Sequence, residues 1–288
     1  APARSAAPSI VSAGASNITA MLESPAYMWS EPEHLGPTVN SKFGERGPTL
    51  SADERILMFI SLRDGNAGNL YECRRPSIEQ PFGPPQLIEV VQTTSQKNDP
   101  SLSGDGLTLV YSTTTGIQHL GEGDLYQLRR PSLDALWEPK TNLGPAVNSA
   151  QSETTPALSS DGLQLVFAST RSGGLGGHDL YHSRRAALAD PFGPAQSLGP
   201  KLNTLAPETH PHLLADGETI WFERTSRPYL TFRTKSGHLS ALVLPDLAEL
   251  LQDVWLSPDG KRLYFTSKRP GGLGDFDLWM TRRLLRPT

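Results

Sequence analysis

The sequence predicts an all-β fold: a five-bladed β-propeller of four-stranded antiparallel blades, closed by an N-terminal strand that completes the last blade. Three observations carry this. A unit of about 50 residues, clearest from Glu153 to Asn203, recurs in imperfect copies along most of the chain, and a period of that length is the signature of a propeller blade. A turn aspartate keeps the register at Asp53, Asp105, Asp161, Asp216 and Asp259, each a fixed step after Pro48, Pro100, Pro156, Pro211 or, in the last copy, Val254. The last copy stops after its third strand, and its missing fourth strand lies at the other end of the chain. There Trp29 to Asn40 (WSEPEHLGPTVN) matches Trp137 to Asn148 (WEPKTNLGPAVN). Closing the ring with both ends of the chain removes two open strand edges.

The reference copy shows how one blade is written. Pro156 to Ser159 reads as a short inner strand, and Ser160-Asp161-Gly162 as a tight hairpin, since Asp-Gly tolerates positive φ. Leu163 to Ser169 alternates Leu163, Leu165 and Phe167 with Gln164, Val166 and Ala168, a strand period with one strongly buried face. Gly173 to Gly177 is a wide turn, Asp179 to Arg184 a third strand and Ala195 to Leu198 a short fourth. Blade one, about residues 46–91, turns at Asp53-Glu54 and opens its third strand with Asn69; blade two, 99–147, has a longer second turn. Blade four departs. Ser226-Arg227-Pro228-Tyr229 stands in place of the Gly-rich turn, YLTFRTK reads as the third strand, and residues 240–252 lack the FGPxxxLG pattern. There Pro245 to Leu251 fits a helical turn or two, or else Leu250 and Leu251 sit on a fourth strand. Blade five starts at Asp253 and is regular to the end.

The copies Ser159 to Arg185 and Ser257 to Arg283 follow SxDGxxLxFxSxRxGGxGxxDLYxxRR closely. This pattern resembles the TolB-type WD-like β-propeller repeat, common in bacterial envelope proteins, including ones fused to peptidoglycan-binding OmpA-like domains. The resemblance covers roughly Trp29 to Arg283. It implies the propeller and a periplasmic or extracellular location, free or tethered through a fused domain. For function it implies little, because propellers host binding modules and enzymes alike.

Composition narrows the classes. At 288 residues with Gly 26 and Pro 25, the chain reads as many short, punctuated strands. Residues 25–288 form a single propeller domain, expected to be a monomer, and residues 1–24, rich in Ala, Ser and Pro, read as a disordered linker or processed N-terminal segment. A net charge of −4 lacks the basic footprint of nucleic-acid binding. Cys73, the single cysteine, excludes an intrachain disulfide. No apolar run reaches the length of a membrane-spanning helix.

Candidate site residues follow from the ring. Each inner strand begins at the central channel, so the residues just before the Pro position, Gly47, Asp99, Thr155, His210 and Asp253, should ring one mouth. Asp99, His210 and Asp253 are expected to approach one another, with Glu153 and Glu208 on the rim and Tyr229 in the divergent blade as further ligand-binding candidates. Trp221, Phe232 and His238 would add contacts beside Tyr229. Converging acids and an imidazole suit a cation, a basic peptide end or a sugar, while the competing role of the glutamates is to cap or tie neighbouring blades. His210 and His212 stand two apart on one strand, a spacing compatible with a metal.

Asp124, Asp179 and Asp277 follow Gly-rich turns. Calcium is a possible ligand there, against the commoner role of bonding turn amides or pairing with Arg63, Arg171 and Arg269. In the pairs Arg74-Arg75, Arg129-Arg130, Arg184-Arg185 and Arg282-Arg283, one arginine should pack its stem between blades. No nucleophile motif, phosphate loop or paired CxxC is present. The reading is therefore a non-catalytic module without a cofactor that binds a protein, peptide or glycan. The alternative is a carbohydrate-active, glycosidase-like enzyme with its acids at the channel mouth.

Overall fold

The computed structural model describes residues 22, 24–65, 68–91, 97–116, 118–233, 239–243 and 251–286. Five antiparallel sheets are arranged as blades. Blade one comprises Glu45–Leu50, Ile56–Ser61, Asn69–Arg74 and Gln86–Leu87; blade two, Lys97–Leu102, Thr108–Thr113, Asp124–Arg129 and Thr141–Asn142. Blade three comprises Glu153–Leu158, Gln164–Ser169, Asp179–Arg184 and Gln196–Ser197; blade four, Glu208–Leu213, Ile220–Arg224, Arg227–Arg233 and Leu239–Val243. Blade five has Gln252–Leu256, Arg262–Ser267 and Asp277–Leu285, and its outer edge is taken by Tyr27–Trp29 and Glu33–His34. The expected closure is present: Trp29 pairs with Arg283, and His34 with Trp279. Asn40 then holds Leu278 by both backbone groups, its side-chain amide donating to the carbonyl at 3.0 Å and its oxygen accepting the N–H at 2.8 Å. Asn148 and Asn203 do the same for Leu125 and Leu180.

The core lies between blades. Each apolar cluster joins two neighbours, such as Phe59 and Tyr71 of blade one with Tyr264 and Met280 of blade five, or Phe167 of blade three with Val110 of blade two. Strands are consequently buried on both faces, as Ile56–Ser61 is along its whole length. This corrects the one-sided burial expected for Leu163 to Ser169, where Val166 and Ala168 are as buried as Leu165 and Phe167. A second strand is sandwiched by two blades, and each large side chain it buries stabilises the ring by about 1.5–3 kcal/mol.

Repeated polar devices fix the blades. In four turns a serine hydroxyl bonds the turn aspartate at 2.6 Å, through Ser51, Ser103, Ser159 and Ser257. The turn glycine has positive φ at Gly106, Gly162, Gly217 and Gly260, and in blade one Glu54 takes that backbone instead. The Glu54 carboxylate grips Arg262 of blade five through two bonds, at 2.7 and 2.6 Å, so the ring-closing junction gains an ion pair. The second arginine of all four pairs is buried, and Arg75, Arg130 and Arg185 donate to the turn carbonyls of Glu54, Gly106 and Gly162 and stack on Phe82, Trp137 and Phe192.

Blade four departs less than its sequence suggests. Thr225 and Ser226, both at positive φ, form a two-residue turn, the geometry that matches strand twist in hairpins. Arg227–Arg233 is the third strand and Leu239–Val243 the fourth, upstream of Leu250 and Leu251. His238, the segment 245–250 and nearly all of residues 1–24 fall outside the described residues, as does the side chain of Phe232.

Candidate ligand site at the channel mouth

Every inner strand carries a bulge, between Arg46 and Thr49, Asn98 and Ser101, Thr154 and Ala157, Thr209 and His212, and Gln252 and Trp255. At its centre stand Gly47, Asp99, Thr155, His210 and Asp253, with φ of 62, 52, 47, 48 and 51°. Left-handed backbone suits Gly47, but for residues with a Cβ it costs roughly 1–2 kcal/mol, and at Asp99, Thr155 and His210 the proline that follows disfavours it further. The ring sustains this strain at four non-glycine residues.

The bulges bring these five residues together around one small cavity of about 40 Å³, with Pro48, Pro100, Pro156 and Pro211 beside them. His210 sits among three acids. Its Nε2 lies 3.2 Å from Asp253 Oδ1 and 3.9 Å from Asp99 Oδ1, and its Nδ1 lies 3.6 Å from Glu223 Oε2. One ligand atom from each of Asp99, His210 and Asp253 lies within 4.8 Å of the others. A backbone amide supports one of the acids: Gly47 N–H donates to Asp253 Oδ2 at 3.3 Å.

The electrostatics follow from burial and charge. Burial alone would lower the His210 pKa, but Asp253, Glu223 and Asp99 outweigh it and push it up to about 10. Burial, with help from Asp253 and against the pull of His210, raises Asp99 to about 6. At neutral pH the mouth therefore holds an imidazolium among carboxylates, with a surplus of negative charge.

The structure thus brings Asp99, His210 and Asp253 together, but not the other three candidates. Glu153 and Glu208, expected on the rim, are fully buried. Glu153 accepts from Ser149 N–H and Oγ at 2.7 and 2.6 Å, from Ser169 Oγ at 2.7 Å and from Arg171 at 3.1 Å. Glu208 accepts from Thr204 N–H and Oγ1 at 3.0 and 2.6 Å and from Arg224 at 2.7 Å. Both carboxylates are spent on tying strands and loops, as is that of Glu45 with Ser41, Ser61 and Arg63. Tyr229 is the third-strand aromatic of the repeat, stacked on Phe222 with Arg224 over its ring, as Tyr181 is on Phe167 with Arg171. Trp221 is buried. Tyr229 is half-buried and held in this stack, away from the cluster of Asp99, His210 and Asp253.

His212 is also structural. The bulge breaks the simple two-residue period, so His210 turns to the acids while His212 Nε2 accepts the Leu256 N–H at 3.2 Å. Burial holds its pKa down to about 4, so the ring is neutral and its Nε2 is held between the N–H and the C=O of Leu256, at 3.2 and 3.3 Å. Thr49 and Ser101 accept the inner-strand amides of Leu102 and Leu158 in the same way. The turn aspartates bond amides: Asp179 takes the N–H of Leu175 and Gly176, Asp124 those of Leu120 and Gly121, and Asp277 those of Leu273 and Gly274. The SxR arginines Arg63 and Arg171 pair with Glu45 and Glu153 rather than with these aspartates.

Glu223 was not among the sequence candidates. Its signal was a departure from the repeat, an acid on a second strand where the other copies carry Ile60, Ser112, Ala168 and Thr266.

Fold and site together define a five-bladed propeller with an acidic, histidine-centred channel mouth. The chain is similar in structure to TolB from Acinetobacter baumannii, with a TM-score of 0.54 and 16% identity over 86% of this chain and 56% of that one. It is also similar to an α-L-arabinofuranosidase from Lactobacillus brevis, with a TM-score of 0.51 and 12% identity over 87% of this chain and 92% of that one. For an α-L-arabinanase from Penicillium chrysogenum the TM-score is 0.50, with 11% identity over 84% and 76% of the two chains. No family model and no curated protein sequence matches. At such identities these likenesses establish the propeller fold, and the chain spans little more than half the length of the TolB structure. No helix among the described residues is long and apolar enough to cross a membrane.

Proposed function

We propose that residues 25–288 form a non-catalytic binding module of the bacterial cell envelope, which takes a protein segment, peptide or glycan at the channel mouth. The observation that carries this reading is the ring of left-handed bulges presenting Asp99, His210 and Asp253 to one cavity. Backbone strain held by a rigid ring at one polar concavity favours a site over a purely structural cap. A cavity of about 40 Å³ is far below the roughly 300–1,000 Å³ that encloses a drug-sized ligand. The partner therefore engages end-on, presenting one functional group to the mouth while the rest lies across the face. That size weighs against the glycosidase reading, because a sugar ring placed for hydrolysis has to sit between its two carboxyl groups.

Calorimetry with short peptides of differing termini and with oligosaccharides, on the parent and on Asp99→Asn/Asp253→Asn, tests the reading. Heat from the parent that the double variant loses is expected. No heat from any probe, or equal heat from both proteins, contradicts it. Turnover of aryl glycosides by the parent but not the double variant would establish the enzyme instead.

A further inference from the structure

We propose that Asp99, His210 and Asp253 hold one divalent metal ion of the zinc class, leaving an open coordination position toward the mouth for an oxygen atom of the partner. The proposal rests on the channel-mouth reading above and names the chemistry of that contact.

The donor set is one imidazole nitrogen and two carboxylate oxygens from three different blades. Nitrogen and oxygen donors of this kind suit zinc and its first-row neighbours, whereas calcium and magnesium take oxygen ligands. Three protein ligands with an open fourth position is the arrangement of zinc sites that bind an exogenous group. Two carboxylates and a neutral imidazole also balance the charge of a divalent ion. The Nε2 distances of 3.2 and 3.9 Å to Asp253 and Asp99 sit near the ~3.3 Å separation that bonds of about 2.0–2.1 Å impose around a tetrahedral ion. The metal would take the place of the proton on Nε2.

Two further observations point the same way. Thr155 lines the cavity, is only 6% exposed, and its Oγ1 has no hydrogen-bond partner. A buried hydroxyl left unpaired costs about 1–3 kcal/mol, and a metal-bound water in the cavity supplies the missing partner. Behind the histidine, Glu223 is equally buried, with Oε2 facing Nδ1 and Oε1 unpartnered. On the far nitrogen, Thr209 Oγ1 stands 3.1 Å and Glu223 Oε2 3.6 Å from Nδ1, and the carboxylate there favours a proton on Nδ1, the tautomer that leaves Nε2 for a metal. Glu223 is thus a positioning residue.

The test is zinc titration of the chelator-stripped chain by calorimetry, with no partner present, alongside calcium. One zinc per chain is expected, with calcium at least about tenfold weaker. Asp99→Asn, Asp253→Asn and His210→Gln should each lose at least about tenfold in zinc affinity, and Glu223→Gln about tenfold, in line with the effect of removing outer-shell partners. Cobalt on the parent chain provides a readout that needs no variant: visible bands of a four- or five-coordinate nitrogen- and oxygen-ligated ion are expected. Absence of zinc binding, undiminished binding by folded variants, preference for calcium, or the spectrum of hexaaqua cobalt would overturn the proposal. Because the partner is absent, failure here leaves the peptide and oligosaccharide titrations to decide the binding reading separately.

Discussion

Two sets of positions recur around the ring, and they behave in opposite ways. The clamp positions repeat in chemistry as well as in place at three of the five blades, blades two and five carrying Lys97 and Leu251 where the others have glutamate. Glu45, Glu153 and Glu208 each gather a hydroxyl, a loop amide and an arginine, and Asn40, Asn148 and Asn203 each hold one third strand. The axial positions repeat only in backbone. Gly47, Asp99, Thr155, His210 and Asp253 share left-handed backbone, while their side chains run from none through a hydroxyl and an imidazole to two carboxylates. Where copies share a need, as in tying a loop to a strand, the same residue recurs. Where five copies converge on one axis, a single site is assembled from unlike parts, and the repeat loosens.

The largest expected effect breaks the clamp at ring closure. Deleting residues 1–40 removes the strand pairs of Tyr27–Trp29 and Glu33–His34 and both Asn40 bonds. The product should expose the edge of Asp277–Leu285 and aggregate or unfold, as size-exclusion chromatography and thermal melts would show. Deleting residues 1–21 should leave the melt unchanged. A 1–40 deletion that stays monomeric and melts like the parent would refute the closure. A smaller loss is expected for Glu153→Ala, which strands Arg171 and two serines: about 3–5 kcal/mol by the measure of broken buried pairs, checked by denaturant unfolding. A loss under about 1 kcal/mol would mean that the clamp is decorative.

How far the sequence reached follows the same division. The clamps and turns were legible because repetition marks them: the match of Trp29 to Asn40 with Trp137 to Asn148 revealed the closure. The meeting of Asp99, His210 and Asp253 was legible because ring symmetry sends equivalent residues to one axis. Glu153 and Glu208 were misplaced because sequence distance from the channel carries no sign of which way a side chain turns, and the bulge between Thr154 and Ala157 reverses it. Tyr229 looked divergent because a two-residue hairpin at Thr225-Ser226 shortens blade four and shifts its alignment. Glu223 went unseen because its contact to His210 depends on that same bulge geometry.

Smaller effects sharpen the comparison at the axis. Thr155→Gly relieves a β-branched residue at φ 47° and removes an unpaired hydroxyl, so it should stabilise the chain by about 1 kcal/mol in denaturant unfolding. A loss of similar size would show that Thr155 packs rather than strains. The smallest effect concerns Cys73 in the clamp region, whose pKa burial pushes up to about 12. The thiolate is the reactive form, so a disulfide reagent at pH 8 should label Cys73 only at the rate of unfolding. Rapid labelling of the native chain would mean that blade one opens locally.

The central claim is that the axial residues serve a ligand while the clamps serve the fold. Denaturant unfolding of Asp99→Asn/Asp253→Asn beside Glu153→Ala tests it most directly, since asparagine keeps the shape and tolerates left-handed backbone. In the axial double variant the lost attraction to the His210 imidazolium is offset by relief of the buried Asp99 charge, so it should stay within about 1 kcal/mol of the parent while Glu153→Ala loses several times that. An axial variant that unfolds as readily as the clamp variant would contradict it.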